Sequence, residues 1–172
     1  GQITLLGFIY TTCSDPEGCS LAYRVFDALK AAIAATPPLY GKVRFVTLSI
    51  DPARDSPEVM RQYAGSRAVE KKGGLRWYFL TTGSAGELMP LVEGFGQDVR
   101  VTYDRSSGRP QRELSHVLKV FLIDRAGDVV RLGIGASSRG SAVFALIAID
   151  GGVNGVRLRP TRGGVVEIDE GL

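Results

Sequence analysis

Two cysteines and one histidine are the residues of this chain best suited to chemistry. Cys13 and Cys19 stand in the stretch TTCSDPEGCS, residues 11–20, and His116 is the sole histidine among 172 residues. Two thiols can form a structural disulfide, act as a redox couple, or ligate a metal. Four positions apart on a helix they would lie roughly 40° apart and share a face; six apart they lie roughly 240° apart and diverge. The segment between Cys13 and Cys19 therefore has to be a loop if both sulfurs are to meet, and Asp15, Pro16 and Gly18 favour one. Such a loop can bring the Cα atoms within about 7 Å, as a disulfide requires. Closing so short a loop stabilises by only roughly 2–3 kcal/mol, so a staple is weakly motivated.

The surroundings favour reactivity. The run Ile3–Tyr10, ITLLGFIY, is almost wholly apolar and reads as a strand buried on both faces. The cysteines follow it directly. The ends of parallel strands form the natural crevice of an open α/β sheet. Cys19 precedes Ser20, the expected N-cap of a helix over 20–35, and a helix N-terminus stabilises thiolate over thiol. His116, placed one position before an expected strand over 117–123, can project into the same crevice. Two thiolates and an imidazole make a soft three-ligand set that suits copper, thiolates favouring Cu(I) and imidazole either oxidation state. Structural zinc would want a fourth ligand, which Asp15 or water could supply.

The remaining elements follow from pattern. Leu21, Val25, Leu29 and Ile33 recur every four residues, with Phe26 beside them, giving one apolar helical face that Pro37-Pro38 ends. Strands are expected over 43–50 and 76–81. Ser56 and Pro57 open a helix running to about Val69, and Lys71–Gly74 is a solvated turn. Ser84–Phe95 reads as a helix with Leu88, Leu91 and Val92 on one side. A short extended piece covers 99–103, and a polar loop covers 104–113. A hairpin joins 117–123 to 129–132 through Ala126-Gly127. Ser138–Ile147 reads as a last helix, and the tail hints at paired strands over 155–158 and 165–168. Alternating strand and helix at this spacing implies right-handed parallel crossovers. The expected fold is an α/β three-layer sandwich with a mixed, mostly parallel central sheet. Asp51 and Asp55 in DPARD read as a turn and helix start. Gly133–Gly140 lack the lysine of a phosphate loop, and Tyr23, Phe26, Trp77, Tyr78 and Phe79 read as packing residues.

Composition bounds the function. The chain is 44% hydrophobic and 23% charged, with a net charge of +3. The one basic cluster, Arg157, Arg159 and Arg162, is too sparse for a nucleic-acid footprint. No apolar run reaches the roughly 18 residues of a membrane span. The chain opens on Gly1-Gln2 and enters an apolar run at once, which reads as a trimmed start with any native targeting segment or anchor lying outside it.

GFIYTTCSD with a second cysteine, then SIDPARDSPEVMRQYA, then SHVLKVFLIDRAGDVV, resemble in order the Sco/SenC family over roughly residues 5–133. The DPARDSPEVMRQYA segment is the most specific part. The resemblance implies a thioredoxin-like domain over 1–149, with 150–172 as a C-terminal extension. It also implies a copper site of Cys13, Cys19 and His116, with Asp15 matching the family's acidic residue after the first cysteine. The implied role is metallochaperone in assembly of the CuA centre of cytochrome c oxidase, the partner being the CuA-bearing subunit. A periplasmic location with a membrane anchor follows from the same resemblance. The alternative it allows is a thiol-disulfide oxidoreductase using Cys13 and Cys19 to keep oxidase or other extracytoplasmic cysteines reduced, with peroxide reduction as a variant. Three features depart from the family. The spacing is Cys-x5-Cys instead of Cys-x3-Cys, with no proline after the second cysteine. A hairpin before the first strand is absent from this chain. The tail matches nothing in the family and is expected to cover the sheet edge that the hairpin would occupy.

Overall fold

A computed structural model describes residues 1–13, 19–68, 75–104, 111–133, 135–136, 142–143, 156–160 and 166–170. Five strands form the central sheet: β1 (Ile3–Ile9), β2 (Val43–Ser49), β3 (Arg76–Leu80), β6 (Lys119–Ile123) and β7 (Val129–Gly133), ordered β3-β2-β1-β6-β7. β1, β2 and β3 are parallel, and β6 and β7 join antiparallel to their neighbours, so the sheet is mixed as expected.

β1 is buried at every position because both of its faces are covered. Ile3 and Leu5 face a cluster with Val25, Phe26, Leu29 and Ile33 of helix α1 (Cys19–Ala34). Leu6 and Phe8, of opposite parity, face a cluster with Leu88 and Val92 of helix α3 (Ala85–Gly94) and with Leu114. This period-two split of one apolar strand makes three layers. Gly7 falls on the α1 face, where a Cβ would stand 2.9 Å from the Phe26 ring.

Several boundaries differ from the sequence expectation. α1 begins at Cys19, so Ser20 lies inside the first turn and is not the cap. Helix α2 (Pro57–Ala64) has the expected Ser56 cap, accepting from Val59 N–H at 3.3 Å. The α-helix itself ends at Ala64, where Gly65 has φ 51°, and a 3-10 helix over Gly65–Ala68 carries the helical segment close to the expected end at Val69. In α3 Leu88 and Val92 are buried, whereas Leu91 is exposed. Tyr78 points outward from the edge strand β3 and is 37% exposed, so it is no core residue.

The expected polar loop is a strand over part of its length. β4 (Val99–Asp104) pairs antiparallel with β5 (Gln111–His116) in a separate ribbon, with His116 opposite Val99. His116 is thus the last residue of β5, and β6 starts only at Lys119. Ala142-Val143, expected in a helix, are extended as β9 against Gly135-Ala136, β8; the remainder of that expected helix lies outside the described residues. So do Asp15 and the turn at Lys71–Gly74. The tail forms the expected pair, β10 (Val156–Pro160) with β11 (Val166–Glu170), and β11 lies against the helix α1.

Candidate functional site

The C-terminal ends of β1 and β2 carry the site. The chain leaves β1 at Tyr10 and turns at once, with Cys13 N–H donating to the Tyr10 carbonyl at 3.2 Å. The turn presents Cys13 at its end, partly buried. Cys19 opens α1, where it is 1% exposed. Cys19 packs with Ile9 and Met60, and Tyr10, Cys13, Tyr63 and Phe79 close around that group. Both cysteines are thiols, not a disulfide.

His116 completes the arrangement from the other side. Its Nε2 lies 3.7 Å from Cys19 Sγ. Tyr10 orients it twice: the Tyr10 hydroxyl donates to the Leu114 carbonyl at 2.7 Å, and the two rings meet edge to face with centroids 5.8 Å apart. Cys19 and His116 are therefore brought together as expected, and Cys13 joins the same apolar group. Among the described residues, no three histidine, cysteine or carboxylate side chains stand close enough together to hold a metal ion. The arrangement is a thiol–imidazole pair with a second thiol beside it. These are soft donors, the chemistry of a Cu(I) site.

Asp55, read from sequence as part of a helix start, takes a different role. It is 1% exposed. Its carboxylate accepts from Thr11 N–H at 3.1 Å, from the Thr11 hydroxyl at 2.5 Å and from the Ser49 hydroxyl at 2.5 Å. Ser49 in turn accepts from Asp51 N–H at 3.0 Å. The DPARD segment thus grips the turn that carries Cys13. The signal available in sequence was a pair of aspartates bracketing a turn directly after a buried strand, and short-range reasoning assigned them to the following helix.

Tyr63 of α2 lies over the same group, edge to face with Tyr23 at 5.3 Å. Its hydroxyl pKa is raised, chiefly by burial; a polar contact with Tyr23 works the other way, and negative charge at Cys19, Cys13 and Asp55 raises it further. Tyr63 accordingly stays a neutral proton donor beside the thiols. Tyr23 is raised as well, first by burial and then by Tyr63. Arg67 holds this wall in place, binding both Asp27 carboxylate oxygens and stacking over the Tyr23 ring.

The fold is thioredoxin-like, with a cysteine–histidine pair at the strand ends. The SCO1/SenC family profile matches residues 1–148, and the chain belongs to that family. The structure is similar to copper-bound ScoI of Bradyrhizobium japonicum, at 23% identity and TM-score 0.57 over 80% of this chain and 78% of that one. It is similar to apo Sco1 of Thermus thermophilus at 26% identity and TM-score 0.54, over 76% and 67% of the two chains. Copper-bound yeast Sco1 matches at 20% identity and TM-score 0.56, over 81% and 71%. No curated protein sequence matches the chain significantly.

Proposed function

We propose that this protein binds copper through Cys13, Cys19 and His116 and delivers it, as cargo, to the CuA-bearing subunit of cytochrome c oxidase. The observation that carries the reading is the approach of Cys19 Sγ to His116 Nε2 at 3.7 Å across ninety-seven positions of sequence, with Cys13 packed beside Cys19. Family membership supports it, as do the copper-bound states of the matched ScoI and yeast Sco1. Copper entering as cargo would displace the thiol protons, with Cys13 and Cys19 supplying sulfur and His116 an imidazole nitrogen. A three-coordinate soft site keeps one direction open, so an incoming thiol or imidazole of the receiver can replace the ligands one at a time. Such chemistry belongs outside the cytoplasm, where oxidase copper sites are assembled. A matched relative from Bacillus anthracis is a lipoprotein, which supports an anchored location.

A second reading keeps the same residues. Cys13 attacks a partner disulfide and Cys19 resolves the mixed disulfide, so two electrons and two protons pass to the partner and a Cys13–Cys19 disulfide remains. The packing of both thiols in one group favours it, and a disulfide switch is described for the matched oxidase-assembly protein BsSco.

Titrating the fully reduced chain with copper separates the two. The first reading expects a thiolate-to-Cu(II) charge-transfer band that saturates at one equivalent and weakens in a His116→Ala variant. No band and no retained Cu(I), with a readily reversible Cys13–Cys19 disulfide, would establish the second.

A further inference from the structure

We propose that Asp55 is the positioning residue for Cys13, setting where the first thiol stands relative to the second. The proposal rests on the reading of Cys13 and Cys19 as a working pair. Thr11 lies inside the turn that the Cys13 N–H closes onto the Tyr10 carbonyl. Asp55 takes both of Thr11's donors, the amide and the hydroxyl, on its two carboxylate oxygens. The turn that presents Cys13 is therefore clamped at its second residue by a buried side chain from another element. Charge-assisted hydrogen bonds of this kind are among the strongest that a neutral backbone and hydroxyl can make.

The alternative role for an aspartate at this position is to start α2. That role is already filled, because Ser56 caps the helix through Val59 N–H. Within its own segment Asp55 is bonded through its backbone, N–H donating to the Asp51 carbonyl at 2.9 Å. Ser49, the third donor to the carboxylate, ends β2 and is fully buried, so it fixes the carboxylate to the sheet. A chain of contacts thus runs from the sheet through Ser49 and Asp55 to Thr11 and on to Cys13.

The test compares four variants of the full reduced chain: Asp55→Asn, Thr11→Val, Thr11→Ser and Ser56→Ala. Two readouts are taken, the alkylation rate of Cys13 by iodoacetamide and the Cys13–Cys19 equilibrium constant against glutathione, with near-UV circular dichroism to confirm folding. Losing a hydrogen bond in the clamp should move both readouts by roughly tenfold in Asp55→Asn and Thr11→Val. Thr11→Ser keeps both donors and should stay within about twofold of the parent. Ser56→Ala should lower the melting temperature while leaving both readouts unchanged. Equal thiol behaviour in all variants, or a Ser56→Ala shift as large as that of Asp55→Asn, would show Asp55 to be structural only. If the parent chain forms no reversible disulfide, the working-pair reading fails, and the alkylation rates alone still decide whether Asp55 positions Cys13.

Discussion

Cys19 Sγ and His116 Nε2 lie 3.7 Å apart although ninety-seven positions separate them in sequence. Two devices bring them there. The parallel β1–β2 pair ends at the crevice where α1 starts, which seats Cys19 at the sheet's C-terminal rim. The β4–β5 ribbon then ends at His116, and Tyr10 ties that end back to β1. Adjacent residues at the exit of β1 thus hold the two halves of the site: Tyr10 reaches the histidine strand and Thr11 reaches Asp55.

Tyr10→Phe removes the hydroxyl that holds the Leu114 carbonyl. The expected cost in stability is about 1 kcal/mol. Copper affinity should fall by roughly tenfold or more, the usual effect of losing a group that orients a ligand. Tyr40→Phe removes a comparable bond, to the Ala34 carbonyl at 2.6 Å far from the site. Chelator competition should show affinity lowered only in the first variant.

Gly7→Ala tests the packing that seats α1 on the sheet. The added Cβ would meet Phe26 Cε2 at 2.9 Å, and that ring is hemmed in by Phe45 and Trp77 at centroid distances of 5.0 and 5.5 Å. Overpacking of this kind costs about 1–3 kcal/mol. Denaturant unfolding should show a lower midpoint with an unchanged slope.

Alkaline stability follows from Tyr63 and Tyr23, whose hydroxyls are both held above the ordinary tyrosine value of 10.0 in the folded protein. Between that value and the higher folded one, the folded state binds more protons than the unfolded state. Stability from these groups is therefore complete below about pH 10 and declines as pH rises beyond it. Thermal unfolding followed from roughly pH 8 to 11 should show that decline, and a Tyr23→Phe/Tyr63→Phe double variant should show a shallower one.

The central architecture was legible because its signals are local. β1 announced itself as a continuous apolar run, α1 as a four-residue repeat, and Ser56-Pro57 as a helix start; all three stand in the structure. The ribbon strand β5 was not legible. Gln111, Arg112 and Glu113 are polar by type, so the segment carries no apolar run to mark a strand, although Leu114 is buried. The cysteines and the histidine stood out by chemical type. Asp55 did not, because its partner Thr11 is forty-four positions away, and a carboxylate before a helix already has an adequate local explanation. Leu91 shows the same limit in reverse: apolar by type, it falls beside the buried Leu88–Val92 stripe of α3 and stays in solvent.

X-ray absorption at the copper edge, on the reduced chain loaded with one equivalent of Cu(I), tests the central claim most directly. Two sulfur scatterers and one imidazole nitrogen are expected, with a sulfur lost in Cys13→Ser and the imidazole pattern lost in His116→Ala. A copper shell that keeps its full sulfur count in Cys13→Ser, or that shows no imidazole in the parent chain, would contradict it.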